Sequence, residues 1–505
     1  MRSFVRCDLI ATAFGFLFTH AHIIREAGIW HRKFFVKWAI ARHYLTQTPS
    51  GMGAEQMEPT QLKSWQSRST FFFTLLWATL GIGGIWRTGA LAAEHGGGLF
   101  WLCYVFFLIT VALPVLVAEA AVGRSGRASV TESIGNLSLR SGDSSRWEVL
   151  GLLAASAALL TLLSLLMLVG WVVPYAVDLF GGHFAGVSLL EAGEYYEALE
   201  QDSELRLSWS LAAIGLSGIA LFFGVKRGIG SLAWIAVPSI ITLSLLLLRH
   251  SFLVGDVQAA GAYLFQTRWD QFGLASLIHA LMQAVMTLLV GFGVATTYSA
   301  FASDHLPLGR ALGAIAVFDM AFALLAALII FPVLFAQALL PSMGPSLLFI
   351  AIPQAYGSSV EGDFMGGLLM LVVLLLLFGV IVALAQVLVS IVSHRTKLGQ
   401  RASGAICVVL VALLLYGAYH LEWQGVRLNS WILIALTDRL ITTLLVPLIL
   451  FGFCVLVGWR AYRKGLLMAL DRESRLFLVT WIFLLRYVVP LGSVVLLVLG
   501  WLVYQ

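Results

Sequence analysis

The chain has 505 residues, of which 60% are hydrophobic and only 11% charged, against about a quarter in an average soluble domain. A globule of this length cannot hide so much apolar surface in water, which excludes a soluble enzyme, a disordered tail and a coiled coil and leaves a polytopic α-helical membrane protein. The net charge of +5 does not point to nucleic acid, because basic residues of membrane proteins collect in cytoplasmic loops.

Residues 1–60 differ from the rest. They carry basic residues, histidines and one short apolar stretch, Ile10 to Thr19, too short to cross a bilayer. That stretch fits a signal-peptide core; we prefer an N-terminal extension, disordered or a mis-called start, because Met52 and Met57 stand just before the first membrane segment. From Phe71 onward the apolar runs predict eleven spans, over 70–88, 97–121, 148–180, 207–225, 231–250, 273–302, 308–339, 363–392, 402–420, 430–460 and 474–503. The runs are continuous rather than alternating, which argues against a β-barrel. Cys7, Cys103, Cys407 and Cys454 are scattered, and three lie inside apolar runs, as small buried hydrophobes do.

Lys and Arg concentrate after span 2 (Arg124, Arg127, Arg140, Arg146), span 8 (Arg395, Lys397, Arg401) and span 10 (Arg460, Arg463, Lys464, Arg472, Arg475). The loop after span 3 is acidic, with Glu191, Glu194, Glu197, Glu200, Asp202 and Glu204. This bias predicts a cytoplasmic N-terminus and, with an odd number of spans, an outside C-terminus, in an inner (plasma) membrane of the bacterial type.

Two spans are interrupted by glycine. Span 1 contains Leu80-Gly81-Ile82-Gly83-Gly84, and span 6 contains Val290-Gly291-Phe292-Gly293. Each heads a half of five spans. Unwound backbone at membrane depth must line a cavity, since lipid cannot satisfy its N–H and C=O groups. A pair of broken spans in matching positions points to a binding site between two halves, although single glycines also serve tight helix packing.

Between Trp65 and Gly98 the chain reads WQSRSTFFFTLLWATLGIGGIWRTGALAAEHGGG. Trp65, Arg68, Gly81, Gly83, Arg87, Glu94 and Gly96 to Gly98 resemble the first span of the neurotransmitter:sodium symporter family. Further matches follow in order: Glu119 with Gly123-Arg124, Gly170-Trp171 and Tyr175, Arg227-Gly228-Ile229 with Pro238, Gln283, Thr287, Gly291-Phe292-Gly293 and Tyr298. Asp319 with Phe331-Pro332, Gln386, Asp438 with Pro447 and Gly458-Trp459, and Arg486-Tyr487 with Pro490 complete the series. The resemblance covers about residues 61–505, read as one transporter domain. It implies an all-α fold of two inverted five-helix repeats with broken helices 1 and 6, the leucine-transporter fold, and alternating-access import of amino acids or amines driven by sodium.

The resemblance also implies positions for the site. The family's first sodium site takes a side-chain oxygen just after the broken helix 1, here Gly84, and another early in span 7, here Phe318, so only Thr287 remains of that set. The second site takes carbonyls of Trp77 and Leu80 and two adjacent hydroxyls in span 8, where Gly379 and Val380 stand; Phe364 to Val389 holds no serine or threonine. Sodium must exchange its water shell for several oxygens, so the side-chain chemistry argues against the ion that the family implies. No other cofactor is expected. The substrate pocket would comprise Thr79, Leu80, Gly81, Ile82, Gly83, Thr161, Leu165, Met286, Leu289, Phe292 and Leu384, an apolar lining with two hydroxyls. Backbone amides of Leu80 to Gly84 would meet an anionic group. Arg87 and Asp438 match the outer gate pair, while Leu62 and His394 replace the inner one.

Three further ionisable groups stand in or near spans. Glu119 is expected to accept hydrogen bonds from the opened backbone of span 6. Asp319 is a structural acid or a proton carrier, and His279 a solvated residue at a helix entrance. No hydrolase, metalloprotease or phosphate-loop motif occurs, so an enzyme is not expected. The expected function is a secondary transporter of a small amphipathic solute, with lipid and that solute as its partners. Two alternatives keep the fold: a proton-coupled or uncoupled transporter, and a non-transporting binding or regulatory membrane protein.

Overall fold

The structure, a computed structural model, describes residues 67–81, 87–339, 344, 346–359, 361–423, 430–461 and 463–503. The readings of residues 1–60 and of the chain's end at Gln505 lie outside them. Among the described residues nine helices are long and apolar enough to cross a membrane. They are Gly98–Gly126, Ser145–Phe180, Ser203–Phe222, Val225–Val254, Leu308–Ala336, Gly362–Thr396, Gln400–His420, Ser430–Arg460 and Arg475–Val503, taken below as spans 2 to 5 and 7 to 11. Two more spans are each built of two pieces. Span 1 is Arg68–Thr79 (1a) and Arg87–Glu94 (1b); span 6 is Leu274–Thr287 (6a) and Val294–Ser299 (6b). The total is eleven, as the hydropathy predicts. Because five spans separate the start of one half from the start of the other, spans 1 and 6 enter from opposite sides, which is the origin of the inverted repeat.

The boundary that moves most is between spans 4 and 5. The residues expected as a loop, Lys226 to Gly230, are helical, and span 5 starts at Val225. Gly224 makes the whole turn at φ +79°, a conformation open to glycine at no steric cost. Gly228 then lies so close to span 4 that a Cβ there would sit 2.1 Å from the Ala220 carbonyl oxygen.

Three spans and the short helix between spans 7 and 8 widen into π-turns, at Leu108–Ala112, Ile441–Leu445, Leu484–Val488 and Leu347–Ala351. Each stands two residues before a proline: Pro114, Pro353, Pro447 and Pro490. Proline offers no N–H and its ring crowds the carbonyl one turn back, so a wider turn relieves the clash.

Span 8 forms the centre, with 78% of its most apolar stretch buried inside the protein, against 22% for span 11. It packs along span 3 and against span 1a. The outer face of the bundle is apolar, with Leu102, Trp234, Leu413, Val498 and Trp501 all exposed, which is what lipid solvation of a spanning helix requires.

Candidate functional site

The two interruptions meet. Helix 1a ends at Thr79, and Leu80 leaves the helical region at ψ 80°. A Cβ built on Gly81 would lie 3.6 Å from the Thr79 carbonyl oxygen and 4.0 Å from the Thr287 carbonyl oxygen. Helix 6a ends at that same Thr287. Ile82 and Gly83, expected in the pocket, and Gly84 lie outside the described residues.

The backbone between 6a and 6b turns through three left-handed residues, Leu289 at φ +49°, Gly291 at φ +92° and Gly293 at φ +74°. Two are glycines, for which this region is free. Leu289 is not, and holding it there costs about 1–3 kcal/mol. The freed Gly291 N–H donates to the Glu119 carboxylate at 2.6 Å, so Glu119 of span 2 does what an acceptor facing opened backbone is expected to do. Gln283 of 6a donates its side-chain amide to Thr88 of 1b at 2.7 Å, tying the first piece of span 6 to the second piece of span 1.

The expected pocket residues are placed as follows. Thr79 is fully buried and its hydroxyl donates back to the Leu75 carbonyl of its own helix. Leu80 (3% exposed), Leu289, Phe292 and Leu384 are buried, while Thr161, Leu165 and Met286 are half-buried. The Thr161 hydroxyl is buried with no hydrogen-bond partner. Arg87 and Asp438 form an ion pair at 3.1 Å, with side chains 25% and 33% exposed. At the opposite end, His394 lies 3.5 Å from Glu132. Leu62, the other expected inner-gate position, is outside the described residues. His279 is not a freely solvated residue: it is half-buried and stacks on His95, with ring centroids 4.6 Å apart.

In span 7 the residue that meets Thr287 is Asp319, the neighbour of Phe318. Phe318, the position assigned to a sodium-ligating side chain, is 49% exposed and packs edge-on against Phe72. Asp319, 3% exposed, turns inward instead. Its carboxylate accepts the Thr287 hydroxyl at 2.7 Å, and the buried Tyr104 hydroxyl lies 3.5 Å from the same oxygen. One residue along a helix is a rotation of about 100°, enough to exchange lipid for interior. Beside the break in span 6 there are therefore a carboxylate and the Thr287 hydroxyl bonded to it, oxygens of the kind that a hard cation takes. The second site does not fit one. Gly379 and Val380 are buried and supply no side-chain oxygen, and the Trp77 indole lies against Gly379.

The comparisons with known proteins agree with this architecture. The model of the sodium:neurotransmitter symporter family matches residues 62–186. The chain is 25% identical over 450 residues to the sodium-dependent transporter YhdH of Bacillus subtilis, covering 87% of this chain and 97% of that protein. A sodium-dependent transporter of Haemophilus influenzae is 25% identical over 443 residues, covering 85% and 96%. Among solved structures, MhsT in complex with L-phenylalanine superposes with a TM-score of 0.78 at 25% identity, covering 88% of this chain and 100% of that one. These relatives are named as transporters, not enzymes, and the broken spans and the shared fold agree with that likeness. Over residues 62–186 the chain is similar to the sodium:neurotransmitter symporter family, and over most of its length to sodium-dependent transporters.

Proposed function

We propose that this protein moves an amino acid or a related small amphipathic solute across the inner membrane, binding it where the interruptions of spans 1 and 6 meet. The observation that carries the reading is the convergence of Gly81 with the Thr287 carbonyl at the two breaks. Opened backbone there offers amide dipoles to an anionic group, and Leu80, Leu289, Phe292 and Leu384 offer an apolar wall to the rest of the solute. The phenylalanine in the MhsT complex supports an amphipathic amino acid as the class of substrate. Spans 1, 2, 6 and 7 rock as a bundle against the others, Arg87 and Asp438 close the outer side, and the N-terminal end of span 1 faces the cytoplasm.

A cation held by Thr287 and Asp319 would supply the positive charge that an amino-acid carboxylate needs beside it in a low-dielectric site. The carboxylate at that place also favours a second reading, in which a proton on Asp319 is the coupled ion. Uptake into proteoliposomes separates them. Transport lost when choline replaces sodium supports the first; transport that persists and follows an imposed pH gradient supports the second. Specific ligand stabilisation without any uptake or exchange would leave a binding protein and overturn both. Thermal stabilisation against an amino-acid panel, with and without sodium, names the solute, since a ligand of the folded state raises its stability by mass action.

A further inference from the structure

Where the family places its second sodium ion, this chain has a ring. Trp77 is 2% exposed, near the end of helix 1a. Its Nε1–H donates to the Leu375 carbonyl of span 8 at 2.9 Å. Gly379, one helical turn on, lies against the same side chain: a Cβ there would be 2.6 Å from Trp77 Cδ1, 2.6 Å from Nε1 and 2.6 Å from the Trp77 carbonyl oxygen. The Phe378 ring closes one side, its centroid 5.9 Å from that of Trp77, and the buried Val380 adds only methyl groups.

Two features make this place hostile to a cation. Span 8 can present no hydroxyl from Phe364 to Val389, a stretch that contains neither serine nor threonine, and a side chain on residue 379 would collide with the indole. The indole N–H also turns the positive end of a dipole into the region and occupies the Leu375 carbonyl, an acceptor that a cation would otherwise compete for. A neutral donor needs one acceptor and has it, whereas a sodium ion stripped of water needs several oxygens.

We infer that the Trp77 indole replaces the second ion as the link between span 1 and span 8. The link is a neutral hydrogen bond that forms at any sodium concentration, and each chain binds no more than one sodium ion, at the Thr287–Asp319 position. The inference rests on the transporter reading for the motion of span 1 against span 8, but the ion count does not depend on transport.

The test is equilibrium binding of radioactive sodium to the purified full-length chain. The expected result is no more than one ion per chain, and a single ion is lost in Thr287→Ala. Two ions per chain, or one ion unaffected by Thr287→Ala, would overturn the inference. A second variant, Trp77→Gly with Gly379→Thr and Val380→Ser, removes the ring and restores two hydroxyls. It is expected to bind one more ion than the parent and to become more heat-stable in sodium than in choline. A folded triple variant with an unchanged count would also overturn the inference, and if it does not fold, the parent's count still decides. A chain that carries no solute in liposomes would sink the transport reading alone.

Discussion

The Glu119 carboxylate accepts the Gly291 N–H at 2.6 Å across 172 residues of chain. It joins the first half of the molecule to the break in the second, at the point where helix 6 gives up its own hydrogen bonds. Glu119→Ala should leave that amide buried and unpaired, at a cost of about 1–3 kcal/mol. Glu119→Gln keeps an acceptor and should fall between the two. Thermal unfolding of the three proteins in one detergent checks the order, and an Ala variant as stable as the parent would refute it.

Arg87 and Asp438 are paired at 3.1 Å but partly exposed, so the pair should contribute only about 0.2–1 kcal/mol to stability. Its larger effect should be on uptake, through closure of the outer side. Arg87→Gln and Asp438→Asn are each expected to slow uptake, and the double variant to be no slower than the worse single one, the signature of residues acting together. Additive losses in the double-mutant cycle would show two independent roles.

Asp319 is expected to govern ion dependence. Asp319→Asn preserves size and removes the charge beside Thr287. The apparent affinity for the coupled ion should fall by roughly tenfold or more, equivalent to about 1.4 kcal/mol, whether that ion is sodium or a proton. Phe318→Leu, on the outer face, should leave the same titration unchanged. A reversed outcome would return the sodium-ligand position to residue 318.

The loop before span 3 gives a pH-dependent prediction. The Arg460 guanidinium bonded to Asp143 at 2.8 Å, with the Ser144 N–H adding to it, holds the Asp143 carboxyl below its ordinary value of 3.8. A carboxylate depressed in the folded state stabilises above its unfolded pKa and loses that contribution as pH falls through the folded one. Asp143→Asn should therefore melt earlier than the parent at neutral pH, and the gap should close as the solution is taken below about pH 4. A gap that widens on acidification would contradict the assignment.

Much of the molecule was legible in one dimension. The eleven spans are local properties, set by roughly twenty apolar residues at a time, and the α-helix of span 3 runs from Glu148 to Phe180, where the hydropathy put it. The breaks were legible too, since glycine runs at membrane depth have few other uses. The role of Glu119 followed from the breaks, because opened amides need an acceptor.

What the sequence left open depended on direction. Phe318 and Asp319 are neighbours in an apolar helix, and only packing decides which of them faces Thr287 and which faces lipid. Trp77 was read for its carbonyl alone; its indole mattered only once Gly379 was found against it. The linear chain determined which segments cross, where two of them break and which residue types stand near the breaks. The tertiary structure decided which side of each helix meets which neighbour, because a 100° turn per residue makes facing a property of two helices together rather than of either one.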